Sequence, residues 1–299
     1  MTGAAIASPY PVAPGLPFSD DSRYRRRRTR SQAMAGLIGV AAFLGVSVLW
    51  IILGYVAVKG APALDLAFFT ERPLPYGEVG GGIAPAITGS LLLLVVAAVL
   101  GVPIGIGAAI FLVEYGKGSV VEGVRFASDL VAGLPSIVVG VFVWAALVRN
   151  VIGNFSGLAG AVALAIIMVP IIIRTVEAVL NLVPHTLREA GLALGVPKWR
   201  VILGVVLPTA RAGIVTGVVL SVARAGGETA PLLLTTLGNQ FFNWDLGKPT
   251  GAIPIQLYNY AVAPYPDWHE KAWGAALVLI VIVGSLSILT RVATRGGVR

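Results

Sequence analysis

Long apolar runs separated by short polar stretches make up most of the chain. Six of them, residues 34–58, 83–113, 130–148, 151–173, 214–237 and 272–292, are close to the roughly 20 residues that a helix needs to cross a bilayer. Inside lipid a helix satisfies its own backbone groups, so the pattern predicts an all-α integral membrane protein with six transmembrane helices. The second run contains Gly101, Pro103, Gly105 and Gly107. It reads as one kinked helix or as two half-spans. Residues 1–33 are polar and Pro-rich and are expected to be a disordered tail, followed by a six-span domain over residues 34–299.

The charges choose between these topologies. Arg23, Arg25, Arg26, Arg27, Arg28 and Arg30 precede the first run. With a cytoplasmic N-terminus and six crossings, 16 of the 22 Lys and Arg fall on the cytoplasmic side and five outside, with Arg224 inside a span. Splitting the second run would move the loop bearing Arg174, Arg188, Lys198, Arg200 and Arg211 outside, against the positive-inside bias. Both termini and the loop at about 175–210 are therefore expected in the cytoplasm of a bacterial cell. The net charge of +8 then reflects topology rather than nucleic-acid binding, and the basic run is suited to an anionic lipid surface. Only 12% of residues are charged and the mean hydropathy is +0.87, whereas soluble domains carry about 25% charged residues. The absence of cysteine excludes disulfides and thiolate metal sites. The two histidines, His185 and His269, are far apart in sequence, and no metal site is expected. No Walker A or Gly-rich nucleotide fingerprint is present. The chain is thus expected to bind no cofactor and to catalyse no reaction, leaving any ATP and Mg to a partner.

One polar island interrupts the apolar pattern. Pro184 fits the first turn of a helix. Leu187, Ala190, Gly191 and Leu194 follow at i, i+3, i+4 and i+7 and share one helical face. Gly195 stands where a left-handed C-terminal residue is wanted, with Pro197 after it as a stop. A second short helix over residues 198–206 is expected to end before Pro208. A small helix-turn-helix with a small-residue face suits a groove on another protein; its bland reading is an amphipathic connector.

The fifth run holds Arg224 and Glu228, four apart and so on one helical face. Counted from Arg211 at about 1.5 Å per residue, Arg224 lies roughly 20 Å into the membrane. A charge at that depth is costly unless it faces protein or water, which makes it a functional candidate; the plain alternative is a self-neutralising pair. The guanidinium fork suits tetrahedral oxyanions, and Gly226 and Gly227 permit local unwinding that aims backbone N–H groups at an anion. Arg174 is a second pathway candidate, or else a positive-inside residue paired with Glu177. In the outer segments, Phe241, Phe242, Trp244, Tyr258, Tyr260, Tyr265 and Trp268 are expected to anchor at the interface or to meet a substrate-delivering partner.

Two segments resemble known families. Glu189, Ala190, Gly195, Leu207 and Pro208 fall on the Glu-Ala-Ala, Gly, Ile, Leu-Pro spacing of the cytoplasmic loop in membrane subunits of ABC importers, with Val205 in place of the Ile and Gly191 in place of the second Ala. The resemblance implies that residues 184–208 couple to an ATPase through Glu189, Ala190, Gly191, Gly195, Leu207 and Pro208. Residues 223–231, ARAGGETAP, and 80–91, GGGIAPAITGSL, are similar to phosphate-specific permease subunits of the PstA type. That likeness covers residues 35–295 and implies a type I ABC importer permease fold, in a heterodimer with a PstC-like permease, served by a PstB-like ATPase dimer and a PstS-like phosphate-binding protein. The expected function is phosphate import across the cytoplasmic membrane. Permeation of another oxyanion, such as sulfate or molybdate, an ion-driven carrier, and a membrane assembly protein without transport are the alternatives.

Overall fold

The computed structural model describes residues 21–78 and 80–295. They fall into two units, one up to Tyr55 and one from Val56 onward. The first is helical throughout, being most of α1 (Asp21–Gly60). The basic run from Arg25 to Arg30 is therefore helical, where the composition had predicted a disordered tail to residue 33. Residues 1–20 of that tail lie outside the described residues. Along α1, Leu37, Phe43, Trp50 and Ile51 are exposed, as side chains facing lipid would be.

The second unit contains the short helix α2 (Leu66–Thr70) and then α3 (Ala84–Ile110), which runs on through a π turn at Phe111–Tyr115. Pro103 sits inside α3 without dividing it, so the single-helix alternative holds and the two half-spans do not. After α4 (Ser119–Gly133) the chain bends by 104° into α5 (Ser136–Val143) and a π segment, Trp144–Ile152. The bend falls at Leu134–Pro135, where the proline ring denies its neighbour the helical region. The single helix expected over 130–148 is thus a broken pair. Among the described residues five helices are long and apolar enough to cross a membrane, and the bent pair makes six crossings if counted as one.

The fourth crossing is α6 (Gly157–Asn181), displaced inward from the expected 151–173. Ser156 caps it, its hydroxyl accepting from the Ala159 N–H at 3.2 Å. The Gly157 and Leu158 N–H groups donate to the carbonyls of Lys248 and Leu246, each at 2.9 Å, so the loop ahead of α11 also closes this helix end. α6 is the centre of the core, with Leu164, Met168, Ile172, Val176 and Leu180 buried against α3 and α9. Small residues let the backbones approach, as membrane helices require: a Cβ on Gly105 would meet Ile172 at 2.7 Å, and one on Gly213 would meet Val179 at 2.5 Å.

α7 (His185–Ala193) and α8 (Lys198–Val201) form the predicted helix-turn-helix. The second helix does not stop before Pro208, however. A π turn at Ile202–Val206 leads directly into α9 (Leu207–Gly226), with the proline in its first turn. The widened turn removes the need for a proline N–H, and Lys198–Gly226 becomes one long rod. The fifth crossing therefore starts and ends earlier than the expected 214–237. Beyond it lie α10 (Ala230–Thr235), α11 (Ile253–Val262) and the last crossing, α12 (Pro266–Arg295). A second core, with Phe68, Ile83, Tyr260 and Ala275, ties α11 and α12 to the start of α3. The glycines before α3 are required there. Gly80 and Gly81 have φ of +92° and +77°, and a Cβ on Gly82 would meet the Phe68 carbonyl oxygen at 2.3 Å.

Candidate docking loop and substrate pathway

The loop has the conformation its sequence dictates. Gly195 has φ +75°, and its N–H donates to the Leu192 carbonyl at 3.0 Å, while the Val196 N–H reaches back to Gly191 at 3.3 Å. These bonds satisfy carbonyls that the helix end would otherwise leave open. Gly191 lies against Val201, where an added Cβ would stand 2.9 Å from the nearest methyl. That close approach fixes the angle between α7 and α8. Glu189, Ala190, Leu192 and Leu194 are exposed, and Leu194 is 83% exposed, so the turn offers apolar and acidic groups to solvent. Leu207 and Pro208 do not share this surface, being placed after the π turn in α9.

Arg188, beside Glu189, points inward. Its Nε donates to Glu114 Oε1 at 2.8 Å, and its two terminal nitrogens donate to the carbonyls of Val183 at 2.6 Å and Leu180 at 2.9 Å. Sequence reasoning passes over this pair, because 74 residues separate the partners. The visible signal is an acidic residue closing an apolar run.

The fifth apolar run of the sequence is broken in the structure. α9 ends at Gly226, where the Gly227 and Glu228 N–H groups donate to the carbonyls of Arg224 at 3.1 Å and Ala225 at 3.2 Å. Arg224 and Glu228 therefore do not share a helical face, as their spacing had predicted. The helix stops between them, and among the described residues no ion pair joins them. Arg224 is exposed and Glu228 half-buried. Gly226 is buried against Leu94 and Val283, and Gly227 is exposed, so the first serves packing and the second the change of direction.

The depth of Arg224 follows from the neighbouring helix. Gly213 and Gly217 of α9 lie on Val179 and Thr175 of α6, an antiparallel register. Extended at about 1.5 Å per residue, it sets Arg224 opposite Met168, near the middle of α6. The arginine is thus in the last turn of its helix and yet halfway along its neighbour. A helix C-terminus favours a cation, and discontinuous helices at mid-depth are the usual way to expose backbone polar groups to a solute.

Arg174 is elsewhere. It forms a fork–fork pair with Asp129 of α4, with Nε to Oδ1 at 2.7 Å, and lies 3.7 Å from Glu177. Glu177 also accepts from Arg125 Nε at 2.8 Å. The structure brings Arg174 into a four-charge network between α4 and α6, roughly 10 Å along the helix axis from the level of Arg224. The two arginines do not meet. Among the described residues no group of three or more His, Asp or Glu is arranged to hold a metal.

A helical chain with an exposed helix-turn-helix and a long apolar helix that ends at Gly226 has relatives. Residues 101–296 match the family described as "Binding-protein-dependent transport system inner membrane component". The chain is 45% identical over 273 residues to the phosphate transport system permease protein PstA of Pasteurella multocida, covering 91% of this chain and 97% of that one. It is 46% identical over 245 residues, 82% of each chain, to PstA of Yersinia pestis. This chain belongs to the PstA family of transport permeases. It is a multi-pass inner-membrane subunit of a transporter complex. The carrier and assembly-protein alternatives fall away with that assignment. Solved structures agree on the fold. An alginate ABC transporter chain matches with a TM-score of 0.65 at 12% identity, over 89% of this chain and 94% of that one. A chain of the inward-facing MetNI methionine ABC transporter matches with a TM-score of 0.57 at 19% identity, over 72% of this chain and 97% of that one.

Proposed function

We propose that this chain is one permease half of an ATP-driven importer of inorganic phosphate and catalyses no reaction itself. A PstC-like permease completes the pathway, a PstB-like ATPase dimer docks on residues 184–208 and uses the ATP and Mg, and a PstS-like protein delivers the anion. Both termini and the docking loop face the cytoplasm. The observation that carries this reading is the unbroken rod Lys198–Gly226, which starts in the docking turn and ends, about 40 Å on, at Arg224. Rocking of the docked ATPase moves the rod, and with it the arginine and the helix break, between outward and inward arrangements. Arg224 receives the phosphate oxygens as the anion passes. Arg174, tied to Asp129 and Glu177, holds α4 on α6 at the cytoplasmic side of the same path.

Uptake of radiolabelled phosphate into proteoliposomes tests the reading. With the second permease, the ATPase and the binding protein present, uptake is expected to require ATP. Uptake by this chain alone without ATP, or a preference for sulfate over phosphate, would overturn it.

Gly195 gives a sharper test of docking. Nothing lies within 4 Å of an added Cβ there, so conformation and not space sets the cost. A left-handed non-glycine residue costs about 1–2 kcal/mol, more when β-branched. Gly195→Val is expected to lose most of the co-purifying ATPase and of the ATP-driven uptake, with normal membrane insertion. Wild-type ATPase recovery in this variant would remove the loop from the docking site.

A further inference from the structure

The docking turn has few ways of holding on to the membrane helices. None of the residues of α7 is buried, and the close approach of Gly191 is to Val201 of α8. Its inward hold is polar and converges on one residue. The Glu114 carboxylate accepts from Arg188 Nε at 2.8 Å, and the Glu114 carbonyl accepts from Lys198 Nζ. Lys198 also stands 4.8 Å over the ring of Tyr115. The Glu114 and Arg188 side chains are only 5% and 13% exposed. Arg188 in addition closes the Leu180 and Val183 carbonyls at the end of α6. One guanidinium therefore joins the ends of the second and fourth crossings to the helix that exposes Glu189. Glu114 belongs to the π turn that ends α3, where the Gly116 N–H donates to the Phe111 carbonyl at 2.6 Å. π turns concentrate at functional positions.

We propose that Glu114 and Arg188 form the strut that transmits movement of the docking helices to the second and fourth crossings, with Lys198 as its second contact. They act as positioning residues and touch neither phosphate nor ATP. The proposal rests on the reading of residues 184–208 as the ATPase docking site. An exposed ion pair would transmit little, being worth next to nothing and easily broken. A shielded guanidinium with each of its three nitrogens engaged holds one geometry.

The test uses the reconstituted complex, measuring both ATP hydrolysed and phosphate imported. In Glu114→Gln and in Arg188→Met the ATPase is expected to co-purify and to hydrolyse ATP, while the phosphate imported per ATP falls roughly tenfold. Arg188→Lys, which keeps the charge without the fork, should lie between them and wild type. Because the chain has no cysteine, Glu114→Cys combined with Arg188→Cys can be bridged by a short bis-maleimide. The unbridged double variant is expected to be uncoupled and the bridged one to recover. Wild-type coupling in Glu114→Gln overturns the proposal, as does joint loss of ATPase and uptake that bridging does not restore. Absence of ATP-dependent uptake in the wild-type complex would instead refute the docking reading itself.

Discussion

Arg224→Ala is expected to abolish phosphate uptake while leaving insertion, assembly and ATPase docking intact. The separation of effects follows from the position of the side chain. Arg224 is exposed, and among the described residues no ion pair or hydrogen bond engages its guanidinium, so the fold loses little without it. An anion that has shed its water at mid-membrane depends heavily on a guanidinium. Truncating one partner of a desolvated charge pair costs about 2–5 kcal/mol, which is roughly thirtyfold to several thousandfold in binding. Arg224→Lys keeps the charge but bonds one oxygen at a time and is expected to retain a small residual rate. The measurement is initial uptake rate against membrane-inserted protein, with co-purified ATPase as the assembly control. Near wild-type uptake in Arg224→Ala would leave the arginine without a part in the pathway, while loss of insertion would make it structural.

The crossings were legible because hydrophobic length is a one-dimensional property. Their ends were less so, because tertiary partners move them. α6 runs past Arg174 and Glu177 to Asn181 since Arg125 and Asp129 of α4 neutralise both charges; a hydropathy reading stops at the first arginine. Pro208 marks a helix end by every local rule, yet the π turn at Ile202–Val206 carries the helix through it. The Gly195 turn was readable to the residue, because a left-handed cap is local chemistry. The Glu114–Arg188 contact was not, because spacing holds no information about partners so distant in sequence. Arg224 falls between these cases. Its charge inside an apolar run was plain, and the register of α9 on α6 sets it level with the middle of that helix. The helix break that separates it from Glu228 was visible only as two glycines, which the apolar residues beyond outweighed.

That break changes what Glu228 can do. No ion pair holds it to Arg224 among the described residues, so it is not a counterion clamped on the arginine in this arrangement. It lies just past the helix end, half-buried, four residues along the chain from the guanidinium. A phosphate bound by Arg224 brings a property that sulfate lacks. Inorganic phosphate has three ionisable protons and near neutral pH has lost only one or two of them, so it retains at least one P–OH donor. A carboxylate beside the site accepts a hydrogen bond from that donor and repels a bare dianion. A charge-assisted hydrogen bond contributes about 1.5–3 kcal/mol, and a site built around a substrate hydroxyl rejects the analogue without it by at least as much. Discrimination against sulfate of about ten- to a hundredfold follows at 1.4 kcal/mol per factor of ten. Glu228→Gln keeps the size of the side chain and removes its charge. It is expected to lower phosphate uptake modestly and to raise sulfate uptake relative to phosphate by about tenfold. Competition of unlabelled sulfate against radiolabelled phosphate in proteoliposomes measures this directly. If the glutamine variant imports phosphate at the wild-type rate and excludes sulfate as well as before, selectivity lies with the binding protein or the second permease, and Glu228 serves only the local charge balance at the helix break.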